Sequence, residues 1–381
     1  MTPTTKSPDQ LRHSEDTSLL VEPSSMSPRT RAVRTVLRSR ELSIAIALVV
    51  VIAVATIKSP DFLFSATGWR NLLLTPSLLL LLAVGQTVVI ITRNVDLSVG
   101  SILGLTAWLT GELFIDHPGL PVIAAFVIGT LAGACLGLLN GVLVGYGRVP
   151  ALVITLGTLY IYRGIVLTWA GSNRINAADM PADFLALGTN QVLTIPVLFL
   201  VALAVLVAVG YYLYTARGGR EFYAIGSDPD AAVLYGLRVK RRVLSAFVLS
   251  GALAGLGGVV FAARYGTVSS DAGTGLELSA VAAVVIGGVA IFGGSGTVWG
   301  AALGAVLLVT INRALPILGI PDFWQQALVG ALILGAIVLD RLLASRRARR
   351  LVESRDELPT HTAESAPEKP DPALTEAREQ P

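Results

Sequence analysis

Leu78-Leu79-Leu80-Leu81-Leu82-Ala83-Val84-Gly85-Gln86-Thr87-Val88-Val89-Ile90-Ile91-Thr92-Arg93-Asn94-Val95-Asp96-Leu97-Ser98-Val99-Gly100-Ser101 is the stretch that decides how this chain folds. No charged side chain occurs between Asn71 and Thr92, and a membrane-spanning helix needs about 20 mostly apolar residues. The run is then broken by Arg93, Asn94 and Asp96 before apolar sequence resumes at Leu97. Such groups are expensive at membrane depth and persist there only inside protein or against water. Two readings fit the break: an ordinary loop at the membrane surface, or part of a solute pathway or its gate. In the second, Arg93 and Asp96 pair locally, while Asn94, Ser98 and Ser101 offer hydrogen bonds to a polyhydroxylated solute.

The same pattern recurs along the chain. Of 381 residues, 53% are hydrophobic and 14% charged, against about 25% charged in a soluble domain. One bundle in lipid is therefore expected rather than several globular units. Segments near spanning length run roughly 42–57, 69–91, 97–114, 121–146 and 151–169, then 193–214, 242–263, 278–292, 298–315 and 324–343. The spacing predicts an all-α polytopic membrane protein of about ten transmembrane helices. Eight or nine also fit, because the segments starting at Leu97 and Leu278 are short enough to be re-entrant.

Cations orient the bundle. Arg31, Arg34, Arg38 and Arg40 precede the first span; Arg341, Arg346, Arg347, Arg349 and Arg350 follow the last; Arg217, Arg220, Arg238, Lys240, Arg241 and Arg242 crowd the connection between. Cytoplasmic loops carry such an excess, so both termini and that connection are expected in the cytoplasm. The stretches holding Glu112 and Asp116, Asp179 and Asp183, and Asp271 then face outward. Residues 1–40 contain no apolar core of a cleavable signal. They and residues 344–381 are too polar to bury anything and are expected to be disordered cytoplasmic tails flanking a transmembrane domain over 41–343.

Several chemistries are excluded by the residues themselves. Gly293-Gly294-Ser295-Gly296 fits the pattern of intramembrane serine proteases, but serine needs a base, and His13, His117 and His361 all lie outside the spans. No G-x-x-x-x-G-K-[ST] loop is present to cradle a nucleotide, so no ATP-binding activity or other enzyme is expected in this chain. Cys135 is the single cysteine, so no cysteine-based metal site exists, and neither a metal nor a cofactor is expected. The net charge of +3 is explained by topology rather than by nucleic acid. Asp96 alone is a serious candidate for ion coupling, which keeps an ion-coupled secondary transporter as the alternative reading.

Three further features suggest moving parts. The glycines of Gly287-Gly288 and of Gly293 to Gly300 permit a broken or re-entrant helix. At an offset of 200, Ala83, Val84, Val89, Ile91, Gly100, Leu103 and Gly104 recur as Ala283, Val284, Val289, Ile291, Gly300, Leu303 and Gly304, a faint repeat of the kind seen in duplicated transporter halves. Within the connection 215–241, Asp228 suits an N-cap, Pro229 the first helical position and Gly236 the C-terminal cap, which predicts a two-turn helix. Ala232, Val233 and Tyr235 on it have reason to be apolar if they enter a groove on another protein.

Taken in order, four blocks resemble the permease subunits of bacterial ABC importers for monosaccharides, of the ribose, xylose, rhamnose and autoinducer-2 type. They are Gly85-Gln86-Thr87 with Asn94 to Ser101; Asn140-Gly141 with Thr155-Leu156-Gly157-Thr158 and Arg163-Gly164; Gly219 to Gly236; and Gly275-Leu276-Glu277-Leu278 with Ala282 to Gly288 and Gly293 to Gly296. The resemblance implies two permease chains, alike or different, forming the pore in a bacterial inner membrane, with two copies of a cytoplasmic ATPase and an extracytoplasmic sugar-binding protein. On that reading Gln86, Asn94, Asp96, Ser98, Ser101, Asn140, Thr155, Thr158, Gly293, Gly294 and Ser295 belong to the substrate pathway. Arg220, Tyr223, Asp228, Pro229, Asp230, Ala231, Ala232, Tyr235 and Gly236 form a coupling helix and its support against the ATPase.

Overall fold

The computed structural model describes residues 40–321, 323–332, 334, 335 and 338. The expected tails, and nearly all the arginines flanking the first and last spans, lie outside these residues. Eight helices are long and apolar enough to cross a membrane among the described residues. They are α1 (Arg40–Lys58), α3 (Ala66–Ile91), α4 (Val99–Asp116), α5 (Val122–Gly145), α6 (Ala151–Ala170), α8 (Val197–Thr215), α11 (Val239–Tyr265) and α13 (Val298–Ile317). Shorter helices are α2 (Asp61–Phe64), α7 (Ala182–Ala186), α9 (Arg217–Ser227), α10 (Pro229–Leu234) and α12 (Leu276–Ile286), and a hairpin pairs β1 (Gln191–Val192) with β2 (Ile195–Pro196). The chain is a polytopic all-α membrane protein.

The expected segment 278–292 departs most from a span. Its helix α12 has 11 residues, about 16 Å at 1.5 Å per residue, roughly half a hydrocarbon core. Gly287-Gly288 ends it, with Gly288 at φ 84°. The tenth expected segment is helical over 324–332, and its remainder falls largely outside the described residues.

Burial sorts the helices. α3 is apolar on every side and buried almost throughout, whereas α1 and α5 keep most of their surface outside the fold, as lipid-facing helices do. Helix α11 packs along α5, α4 and α3. Its glycines make that possible: a Cβ on Gly251 would lie 2.4 Å from the Gly133 carbonyl oxygen, and one on Gly255 would lie 2.3 Å from that of Gly129. Small residues four apart thus bring two backbones into direct contact, the device that replaces hydrophobic driving force inside a bilayer.

The two ends of the bundle differ in chemistry. At one end Lys240 stands 5.9 Å over the Tyr146 ring, and Arg217, Arg238, Arg241 and Arg242 line a cleft of about 560 Å³ beside α9 and α10. At the other, Phe114 and Phe184 stack at 4.8 Å, Arg70 reaches the Gly188 carbonyl, and Arg313 lies over Phe62. Asp116, Asp179 and Asp183 gather at this second end, opposite the basic one.

Candidate functional site

The break after α3 begins at the basic end. Arg93 takes φ 64°, a left-handed conformation that costs a side chain of its size. Its guanidinium offsets the cost by donating from Nε to the Gly226 carbonyl at 2.6 Å and from Nη2 to that of Ser227. Asn94 folds back locally, donating from Nδ2 to the Thr92 carbonyl at 2.9 Å. The expected Arg93–Asp96 pair does not form, because the chain turns into the bundle after Asn94 and carries Asp96 away from the guanidinium.

Asp96 is fully buried. Its Oδ1 accepts from the Ser98 backbone N–H at 3.0 Å and the Ser98 hydroxyl at 2.6 Å, and its Oδ2 accepts from Ser250 of α11 at 3.0 Å. Gln86 of α3 brackets the same residue, its amide donating to the Asp96 carbonyl and accepting from the Asp96 N–H, both at 3.1 Å. Asn140 of α5 donates to Ser98 Oγ at 2.8 Å, and Thr155 of α6 donates to the Val95 carbonyl at 3.2 Å. Residues from four helices therefore hold one irregular segment inside the bundle, which is how polar backbone is tolerated at such depth. Arg93 is exposed and Asn94 half-buried, and neither side chain joins this network.

Ser101 lies on the same buried face, and its hydroxyl, like Asn140 Oδ1, has no hydrogen-bond partner. Thr158 turns back on its own helix, donating to the Ile154 carbonyl. Ser250 was not singled out in the sequence. A lone serine in the Gly/Ala-rich run around Gly251 and Gly255 was the only signal.

The second break, Gly287 to Thr297, returns to the same basic end. Gly293, Gly294 and Gly296 have φ of 82°, 74° and 126°, values only glycine adopts cheaply. The Gly294 N–H donates to the Ile91 carbonyl at 3.0 Å, so the two breaks touch through their backbones. Ser295 stays exposed, and its carbonyl accepts from the Ala290 N–H at 3.1 Å. The faint repeat thus has a structural counterpart: helix, break, helix, in both copies with the break at one end, so the copies run parallel.

Helix α9 wedges against this junction. Phe222 and Ile225 are buried, and a Cβ on Gly226 would lie 1.7 Å from the Ile91 carbonyl oxygen and 2.6 Å from Gly294 N. Tyr223 donates its hydroxyl to the Gly296 carbonyl at 3.1 Å, and Arg220 donates to the Thr215 carbonyl at 2.9 Å. Both fix α9 from within. Glu221 is clamped by Arg242 at 2.6 Å and Arg217 at 3.2 Å. The Arg242 hydrogen bond, foremost, holds the Glu221 carboxyl below the usual range.

Helix α10 follows the capping rules read in the sequence. Asp228 Oδ1 accepts from the N–H groups of Asp230 and Ala231, both at 3.0 Å, Pro229 opens the helix, and Gly236 closes it at φ 77°. Ala232 is buried against the chain's own bundle, a difference from the expected outward apolar set. Val233, Leu234 and Tyr235 stand out at 59%, 88% and 86% exposure, the arrangement of an apolar tip with none of the described residues over it.

A family model described as branched-chain amino acid transport system / permease component matches residues 69–337. Among curated relatives, the autoinducer 2 import system permease protein LsrC of Klebsiella pneumoniae subsp. pneumoniae is 39% identical over 318 residues, covering 83% of this chain and 90% of that one. The LsrC of an Enterobacter species is 38% identical over 84% of this chain and 93% of its own length. That of Salmonella typhimurium is 41% identical over 72% and 78%. No solved structure matches.

Proposed function

The chain belongs to the branched-chain amino acid transport system / permease component family, and from that premise we propose that it is the pore subunit of an importer driven by ATP hydrolysis on a separate cytoplasmic subunit. The solute in this reading is a monosaccharide or a similarly hydroxylated small molecule. The relatives named for autoinducer 2 import support it. A second permease chain completes the pore, and an extracytoplasmic binding protein delivers the solute. The basic end is cytoplasmic, since short cytoplasmic loops concentrate Lys and Arg. The interior polar segment around Asp96 and the glycine break at Gly294 border the pathway, and the two breaks shift relative to one another when the ATPases close.

The observation that carries the reading is the junction. Helix α10 presents an exposed apolar tip to the cytoplasm, and α9, the helix before it, rests by main-chain contact on both breaks at once. A push on Leu234 and Tyr235 has a rigid route to Ile91 and Gly294.

Leu234→Asp with Tyr235→Asp tests it. The side chains are exposed, so the fold itself should change by no more than about 0.5 kcal/mol, and abundance in the membrane should be normal. Solute uptake in cells should fall at least tenfold, because two charges cannot enter an apolar groove. Normal uptake in this variant, or uptake that survives depletion of ATP, would refute the proposal.

A further inference from the structure

We infer that residues 269–277, held in place by Arg163, form a water-lined waypoint halfway through the bundle where a hydroxylated solute is hydrogen-bonded. The inference deepens the permease reading and rests on it.

Depth comes first. The chain leaving α11 does not stay at the outer end. Val268 pairs with Ile175, whose side chain fills the space over Gly111 of α4. Farther along, a Cβ on Gly104 would lie 2.4 Å from the Ala272 carbonyl oxygen, and one on Gly100 would lie 2.6 Å from that of Gly273. From Gly111 to Gly100 is 11 residues of helix, so the loop descends about 16 Å. The short α12 therefore starts near mid-depth, beside Leu78 and Leu79 of α3.

Exposure comes second. Asp271, Thr274 and Gly275 are exposed at that depth, in a segment with no regular backbone structure. Irregular polar backbone cannot face hydrocarbon, because each unsatisfied group costs several kcal/mol there. Such backbone is tolerated only against water or against protein, and the thiol test below separates the two.

The chemistry of the site comes third. Arg163 of α6 donates to the Ala272 carbonyl at 2.6 Å and to the Ser270 carbonyl at 3.3 Å. Glu277 Oε2 is shut off from bulk solvent and has no hydrogen-bond partner. On the other side of the α12 start is a cavity of about 240 Å³, lined by Thr75, Tyr265, Ser279 and Asn312 among others, and there Asn312 Oδ1 is likewise unpaired. That volume is several times the roughly 30 Å³ of one water. Glu277 Oε2 and Asn312 Oδ1 are both closed to solvent, so the groups that meet water at rest and solute hydroxyls in passage are the exposed Asp271 carboxylate and Thr274 hydroxyl. The sequence placed Asp271 in an outer loop; the glycines at 100 and 104 admit it to the interior.

The test uses a single cysteine in the full-length chain with Cys135→Ala, which removes the one native thiol. Thr274→Cys is compared with Ile161→Cys, a position 59% exposed and two residues from Arg163 on α6. A membrane-impermeant charged thiol reagent is added outside intact cells, and solute uptake is measured before and after. Thr274→Cys should react at least tenfold faster than Ile161→Cys, and its modification should cut uptake at least tenfold. Reaction only with a membrane-permeant maleimide, or a spontaneous disulfide between two copies at position 274, would overturn the waypoint. Labelling that leaves uptake unchanged would overturn the solute contact. Absence of uptake in the Cys135→Ala parent would instead count against the permease reading, so the two failures are distinguishable.

Discussion

Gly226→Ala should abolish coupled uptake, by tenfold or more, in a chain that still inserts into the membrane. Any Cβ at this position meets the Ile91 carbonyl oxygen at 1.7 Å and Gly294 N at 2.6 Å. Both obstacles are main chain, so no rotamer change relieves the clash, and α9 must lift away. Lifting it stretches the two Arg93 hydrogen bonds to Gly226 and Ser227 and the Tyr223 bond to Gly296. Overpacking of this kind costs about 1–3 kcal/mol, tolerable for a bundle of this size and ruinous for a contact that has to transmit motion. Gly164→Ala is the control, since a Cβ there meets nothing within 4 Å. Uptake and membrane abundance measured side by side decide the matter; equal uptake in the two variants would remove the junction from the mechanism.

Asp96→Leu should fail to accumulate. The substitution keeps the number of side-chain heavy atoms, adds the bulk of two methyl groups, and strands three buried donors: the Ser98 N–H, the Ser98 hydroxyl and the Ser250 hydroxyl. An unmade buried hydrogen bond costs about 1–3 kcal/mol, so the sum is comparable with the whole stability of a typical domain, about 5–15 kcal/mol. Asp96→Asn keeps one acceptor oxygen, and the Ser250 hydroxyl can rotate to accept from the new amide. It should fold with a modest loss in melting temperature in detergent. Uptake by Asp96→Asn also separates the two transport readings, since an ion-coupled carrier that relied on this carboxylate would stop, while an ATP-driven permease would continue. Wild-type abundance and melting of Asp96→Leu would show that the buried network contributes little.

Much of the scaffold could be read directly because its signals are local. Uncharged runs mark the spanning helices to within a few residues, the stretch 278–292 is helical only over Leu276–Ile286, and the cap residues Asp228, Pro229 and Gly236 mark α10 in the sequence itself. Contacts between distant positions left no such trace. Asp96 meets Ser250 across 154 residues, and neither residue type announces the other. Arg93 was expected to pair with the nearest carboxylate, but a backbone turn governs its direction. Depth was the hardest property to infer: charge places a loop on a side of the membrane and says nothing of how far it dips back in. Gly100 and Gly104 were visible as parts of a repeat, and their service as a channel for the 268–273 backbone appears only when the helices are assembled.

The junction at Ile91 is built on main chain: the Gly294 N–H donates to the Ile91 carbonyl, Gly226 abuts the same carbonyl, and the side chains of Tyr223 and Arg93 close onto neighbouring peptide oxygens. Such a joint has almost no slack, because peptide groups lack the rotamers that let side chains absorb a shift. On the coupling proposed above, a shift at Ser227 passes to the end of α3 through these contacts. On that same coupling, the exposed tip at Leu234 and Tyr235 can change to suit a different ATPase while the backbone joint behind it stays the same.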